Sequence, residues 1–80
     1  MERESIIKKL QSIIAKVVKL ENVKLTEEST ANDVKGWDSL SHIAIIAQIE
    51  ESFDIKFKLR ELAKLKKVGS IIDLIIKKQN

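Results

Sequence analysis

Apolar side chains recur at helical spacing from the start of the chain. Ile6, Leu10, Ile13, Val17 and Leu20 form one stripe, and Ile7, Ile14 and Val18 widen it. Lys8, Lys9, Gln11, Lys16 and Lys19 fall between them, so the pattern predicts an amphipathic helix over residues 3–20. Glu2 and Glu4 near its start and Lys19 near its end complement the helix dipole. The periodicity then fails over 21–37. Thr26-Glu27-Glu28-Ser29-Thr30 and Asn32-Asp33 bring side chains that compete for backbone hydrogen bonds, while Val23, Leu25, Val34 and Trp37 are scattered apolar anchors. A loop this long is unusual in a small domain unless it has a task. It reads as a packed loop with room for one short helical turn.

Regularity returns at Gly36-Trp37-Asp38-Ser39-Leu40, where Asp38 or Ser39 caps a second helix expected over 39–53. Leu40, Ile43, Ile46, Ala47 and Phe53 are assigned to its inward face, with Ile45 and Ile49 off the main stripe and Ser41, His42, Gln48, Glu51 and Ser52 turned to water. Asp54 ends it, and Ile55-Lys56-Phe57 continues as an extended link. Leu59, Leu62 and Leu65 predict a short third helix over 59–66. Ser70 is the expected N-cap of a last helix over 70–78, with Asp73 at the capping-box position and Val68, Ile71, Ile72, Ile75 and Ile76 as its apolar face. The expected architecture is all-α: one domain over 1–80, with three main helices, a short third one, and a long loop between the first two.

Composition sharpens this picture. Proline is absent, glycine occurs twice and 34% of residues are charged, which suits helices and an aliphatic core. There is no cysteine and one histidine, which leaves no disulfide framework and no thiolate or histidine-rich metal site. Lys or Glu interrupts every apolar run well short of the roughly 18 residues a membrane helix needs. Lys8 and Lys9 fall where a signal peptide would be apolar, so a cytoplasmic location is expected.

The net charge is +3, but it is unevenly placed. Residues 1–24 hold six basic and three acidic side chains, 25–55 one basic and seven acidic, and 56–80 eight basic and two acidic. An acidic block that contains Ser39 therefore lies between two basic ones. A basic chain raises the idea of a small helical nucleic-acid binder. Against that, the basic segment lacks interleaved aromatics and a recognition-helix pattern, and a lysine-rich composition bias accounts for the charge as well.

A serine at a helix start keeps its hydroxyl outside the core, at the positive end of the dipole, where phosphate is favoured. Taken by itself Ser39 is a plain helix cap. The run Trp37-Asp38-Ser39-Leu40-Ser41-His42-Ile43, followed by Glu50-Glu51-Ser52-Phe53-Asp54-Ile55-Lys56-Phe57, resembles the acyl carrier proteins, as do the chain length and helix order. The resemblance is strongest over 36–57 and rests on the helical pattern alone over 1–24. It implies a small right-turning bundle that is not an enzyme. Ser39 would carry 4′-phosphopantetheine, transferred from coenzyme A by a separate transferase, and Asp38 and Leu40 would help that transferase and later partners recognise the site. Those partners would be the acyl-loading and acyl-consuming enzymes of one pathway, of a fatty-acid, lipid or polyketide type, acting on a monomer with no nucleic acid involved. A peptidyl or aminoacyl carrier on the same fold is the neighbouring alternative, although peptidyl carriers usually place glycines before the serine.

An acyl chain gains about 0.8 kcal/mol for each CH₂ moved out of water. Candidate lining residues are Ile43, Ile46, Ala47, Phe53, Ile55, Leu62 and Ile71, with Ala47 leaving space; the alternative is that they simply pack together. Glu50, Glu51, Asp54, Lys64 and Lys66 are candidates for the partner-facing surface. Trp37 is expected to pack the loop onto the bundle, and His42 to be a solvated surface residue. One departure from the family stands out: Ser41 and Ala44 occupy positions where members often have acids, and the third-helix region carries Lys58, Arg60, Lys64, Lys66 and Lys67.

Overall fold

The computed structural model describes residues 2–63 and 65–79. Among them the regular elements are helical: α1 (Arg3–Val18), α2 (Ser39–Phe53), α3 (Leu59–Leu62) and α4 (Val68–Gln79), plus a 3-10 turn (Ala31–Asp33) inside the α1–α2 loop. None of these helices is long and apolar enough to cross a membrane. α1 packs against both α2 and α4. Ile6, Leu10 and Ile14 of α1, Ile45 and Ile49 of α2, and Val68, Ile71, Ile72 and Ile75 of α4 are sealed from solvent between them. The core is aliphatic apart from Phe53 and Trp37 at its edges, and Lys9 lays its ammonium over the Phe53 ring, 5.1 Å from the centroid.

The helix ends differ from the sequence expectation in three places. α1 stops at Val18 because Lys19 turns into the left-handed region (φ 61°), and both Lys19 and Leu20 donate back to the Ala15 carbonyl. α3 is only Leu59–Leu62. Leu65 and Lys66 lie outside it and Lys64 lies outside the described residues. α4 begins at Val68, so Ser70 sits within its first turn and is not its cap. The loop supplies what a capping side chain would have: Val68 N–H donates to the Ser29 carbonyl and Gly69 N–H to the Glu27 carbonyl, both at 2.9 Å. Asp73 makes no capping box either; its Oδ1 accepts from Arg3 Nη1 at 2.7 Å, while Arg3 Nε donates to Glu27 Oε2 at 2.9 Å. Arg3 thus ties α1, the loop and α4 together, and its hydrogen bond holds the Glu27 carboxyl below the usual range.

The long loop is consequently part of the framework. Leu25, Val34 and Trp37 are buried, and Gln11 of α1 accepts from Leu25 N–H at 2.9 Å. Thr30 caps the 3-10 turn, exchanging bonds with Asn32 N–H and with the Asp33 carboxylate.

The inward face of α2 needs correction. Ile45, Ile46, Ile49 and Phe53 are the buried residues, while Leu40 and Ile43 are 81% and 69% exposed and Ala47 is exposed too. Apolar residues surround α2 on nearly every side, so periodicity alone could not choose among faces. The positions of α1 and α4 made the choice.

Candidate functional site

Ser39 is the first residue of α2, exposed to solvent, and no hydrogen bond of its hydroxyl occurs among the described residues. The turn beneath it is held by reciprocal bonds. Asp38 caps the helix: its Oδ1 accepts from Leu40 N–H and Ser41 N–H, both at 3.0 Å. Ser41 Oγ accepts from Asp38 N–H and donates to the Gly36 carbonyl, each at 2.7 Å. Asp38 thus supplies the cap and Ser41 closes the box, so the Ser39 side chain is left with no structural duty.

Gly36 makes this turn possible. Its φ is +90°, and a Cβ there would stand 3.3 Å from Val18 Cβ, at the end of α1. Gly36→Ala is therefore expected to lower stability by about 1–2 kcal/mol from the left-handed backbone alone, with the Val18 contact adding to it. Denaturant titration read by circular dichroism measures that loss.

A second latch lies on the other side of the turn. Trp37 is buried, and its Nε1–H donates to His42 Nδ1 at 3.0 Å, with the two rings stacked 6.0 Å apart. This fixes the imidazole proton on Nε2. His42 is thus half-buried and structurally engaged, not the solvated residue expected from the sequence, and burial pushes its pKa down. No local signal in the sequence announced the pair; a tryptophan and a histidine five apart meet only because the loop enters α2 through this turn.

Backbone hydrogen bonds, first from Ser41, hold the Asp38 carboxyl below its ordinary value of 3.8. A group whose pKa is depressed on folding contributes stability above its unfolded pKa and loses it as pH falls through the folded value. The thermal midpoint of the native chain should therefore drop as pH falls below about 4. Asp38→Asn retains a good cap without the titrating charge and should show a shallower acid slope. Glu27 and Glu61, whose pKa values are also lowered by their hydrogen-bonded cations Arg3 and Lys78, remain in the variant, so part of the acid sensitivity persists. His42 adds an earlier loss starting below 6.5, common to both proteins.

The candidate acyl-lining residues do not gather round one space. Ile46, Phe53, Ile55 and Ile71 are packed in the core and Leu62 is half-buried against it, whereas Ile43 and Ala47 face solvent. Of the seven, Ala47 and Ile55 share a surface groove of about 550 Å³ with Glu50, Glu51, Asp54 and Lys56. Glu50 has a structural duty there, its Oε2 accepting from Phe57 N–H at 2.8 Å. Glu51, Asp54 and Lys66 are exposed, Asp54 in the left-handed conformation that terminates α2 (φ 54°). Leu40 stands beside Ser39 with its side chain in water.

This arrangement has counterparts. A family model described as a phosphopantetheine attachment site matches residues 8–75. The chain is 41% identical over 66 residues to an acyl carrier protein homolog from Mycoplasmopsis pulmonis, spanning 82% of this chain and 89% of the relative. It is 31% identical over 75 residues to an acyl carrier protein from Coprothermobacter proteolyticus, spanning 94% and 92% respectively. Among solved structures, the holo acyl carrier protein from Geobacter metallireducens superposes with a TM-score of 0.83 at 44% identity, covering 91% of this chain and 84% of that one. The acyl carrier protein from Thermotoga maritima gives a TM-score of 0.81 at 33% identity, with coverages of 99% and 92%.

Proposed function

The chain belongs to the acyl carrier protein family, and on that premise we propose that residues 1–80 form one carrier domain whose attachment point is Ser39. Members of the family are carriers, not enzymes, and their prosthetic group is covalent 4′-phosphopantetheine. The observation that carries the assignment to Ser39 is its free, exposed hydroxyl on a turn fixed by the residues on either side. The site fits the group: the hydroxyl is accessible, and the phosphate would sit outside the core beside the first N–H groups of α2.

In the loading reaction Ser39 Oγ attacks the β-phosphate of coenzyme A. The new O–P bond replaces the pyrophosphate linkage, and 3′-phosphoadenosine 5′-phosphate leaves. Asp38 is a poor proton acceptor for this step, because its carboxylate is already engaged by two N–H groups and its pKa is depressed. The transferase must take the Ser39 proton and stabilise the phosphoryl charge. Asp38 and Ser41 position the hydroxyl, and Leu40 offers the transferase an apolar contact next to it. When bound, the group supplies a thiol that holds an acyl cargo as a thioester for successive partner enzymes.

The partners belong to a restricted set in a specialised fatty-acid, lipid or polyketide-type pathway. Support for this reading comes from charge. A uniformly acidic carrier is steered at long range to basic partner surfaces, whereas this chain puts eight basic residues in 56–80. Co-expression with a broad-specificity phosphopantetheinyl transferase, followed by intact-mass measurement, tests the central assignment. A gain of one phosphopantetheine is expected; a chain left unmodified by every transferase tried would remove the assignment.

A further inference from the structure

Three large apolar side chains are strongly exposed among the described residues: Leu40, Ile43 and Leu59. The first two flank the serine on α2. Leu59 is 86% exposed and stands apart, on α3, with exposed Lys58 and Arg60 on either side. Its orientation is fixed. Lys58 N–H donates to Glu61 Oε1 at 2.7 Å, Lys78 Nζ lies 2.8 Å from the same oxygen, and Leu62 is packed on the core. The four-residue turn is thereby clamped to α4 with Leu59 pointing outward.

Lys58 and Arg60, the neighbours of Leu59 in the chain, make no ion pair among the described residues, as is also true of the lysines of α1. Lys67 pairs with Glu28, Lys78 with Glu61, and Arg3 with Glu27 and Asp73. Lys56 and Lys66 make no ion pair among the described residues either. An exposed leucine between two uncommitted cations in the chain matches an acidic rim around an apolar recess, and it repels a basic rim.

We propose that α3 and the link before it form a docking face for a partner enzyme that presents acidic side chains around an apolar recess for Leu59. The proposal rests on the reading of Ser39 as the attachment point, and it adds the charge and shape of what meets the carrier. An anionic bilayer fits less well. Lys56 shares its surface groove with Glu50, Glu51 and Asp54, so a uniformly negative surface laid there would meet three carboxylates, whereas a protein rim can be acidic at α3 and different beside α2.

One acyl-loading ligase, prepared with a Lys/Arg docking rim and with that rim changed to glutamate, provides the probe. Acylation of the holo carrier is followed by mass spectrometry. The native carrier should show a KM about tenfold lower with the acidic rim, with kcat little changed and the advantage shrinking as salt is added. Lys58→Glu with Arg60→Glu should reverse the preference, and Leu59→Ala should raise KM for the acidic form. A native carrier that prefers the basic rim, or ignores the charge of both, would overturn the proposal. So would co-sedimentation with phosphatidylglycerol vesicles that is lost in Leu59→Ala while the rim preference is absent. Fluorescence anisotropy of the unmodified chain against both ligase forms separates the two readings: a chain that is never modified but still binds the acidic rim refutes the role of Ser39, not the docking face.

Discussion

Ser39→Ala should lose modification completely while keeping its fold. The variant, co-expressed with the same transferase as the native chain, is expected to retain its unmodified mass, since no other hydroxyl occupies the turn in the same way. Ser41 is the nearest serine, and its Oγ is committed to the Asp38 N–H and the Gly36 carbonyl. Stability should move by no more than about 0.5 kcal/mol, as for other surface changes away from a cap or a packed site. Asp38 is the cap and remains in place, and alanine is a good residue for a helix interior. The pairing of unchanged thermal unfolding with lost mass gain is what distinguishes an attachment point from a structural serine. Modification that persists in the variant would move the site elsewhere.

The largest effect on stability should come from Ile49→Ala. Ile49 is fully buried at the junction of α2 with the core, and truncating such a residue costs about 2–5 kcal/mol through lost transfer energy and the cavity left behind. A domain this small sits in the lower part of the usual range of roughly 5–15 kcal/mol in total. The variant should therefore unfold at markedly lower denaturant, and a substantial fraction should be unfolded at 37 °C. Ile43→Ala is the control on the same helix. With Ile43 at 69% exposure, its removal should leave the midpoint nearly unchanged, within about 0.5 kcal/mol. Equal losses at the two positions would show that α2 is rotated from the orientation described above.

The turn around Ser39 joins these two expectations. Gly36, Trp37, Asp38, Ser41 and His42 each hold part of it: a left-handed backbone, a buried indole, a cap, a reciprocal hydroxyl and an imidazole acceptor. All these bonds lie within seven residues, yet their anchor is distant, because Val18 and the core fix where the loop arrives. A carrier must present its attachment point to several enzymes in turn. A hydroxyl held on a fixed turn meets that need better than one on a mobile loop, since each partner then orders less of the chain on binding.

The sequence alone was enough for the helical class, for the start of α2 and for the serine in its first turn. Each of these depends on neighbours in the chain: the 3.6-residue period of α1, a capping aspartate, and a short motif whose residues act within one turn. What lay beyond it depended on contacts between distant segments. α2 is apolar around most of its circumference, so the burial of Ile45 and Ile49 and the exposure of Leu40, Ile43 and Ala47 were set by where α1 and α4 pack. The true start of α4 was hidden for the same reason, because its first N–H groups are satisfied by carbonyls of Ser29 and Glu27 some forty residues away and not by Ser70. The pairing of His42 with Trp37, and of Arg3 with Glu27 and Asp73, likewise exists only once the loop is folded onto the bundle. Local chemistry can be read from adjacent residues; which of several apolar faces is buried is decided by the elements that cover it.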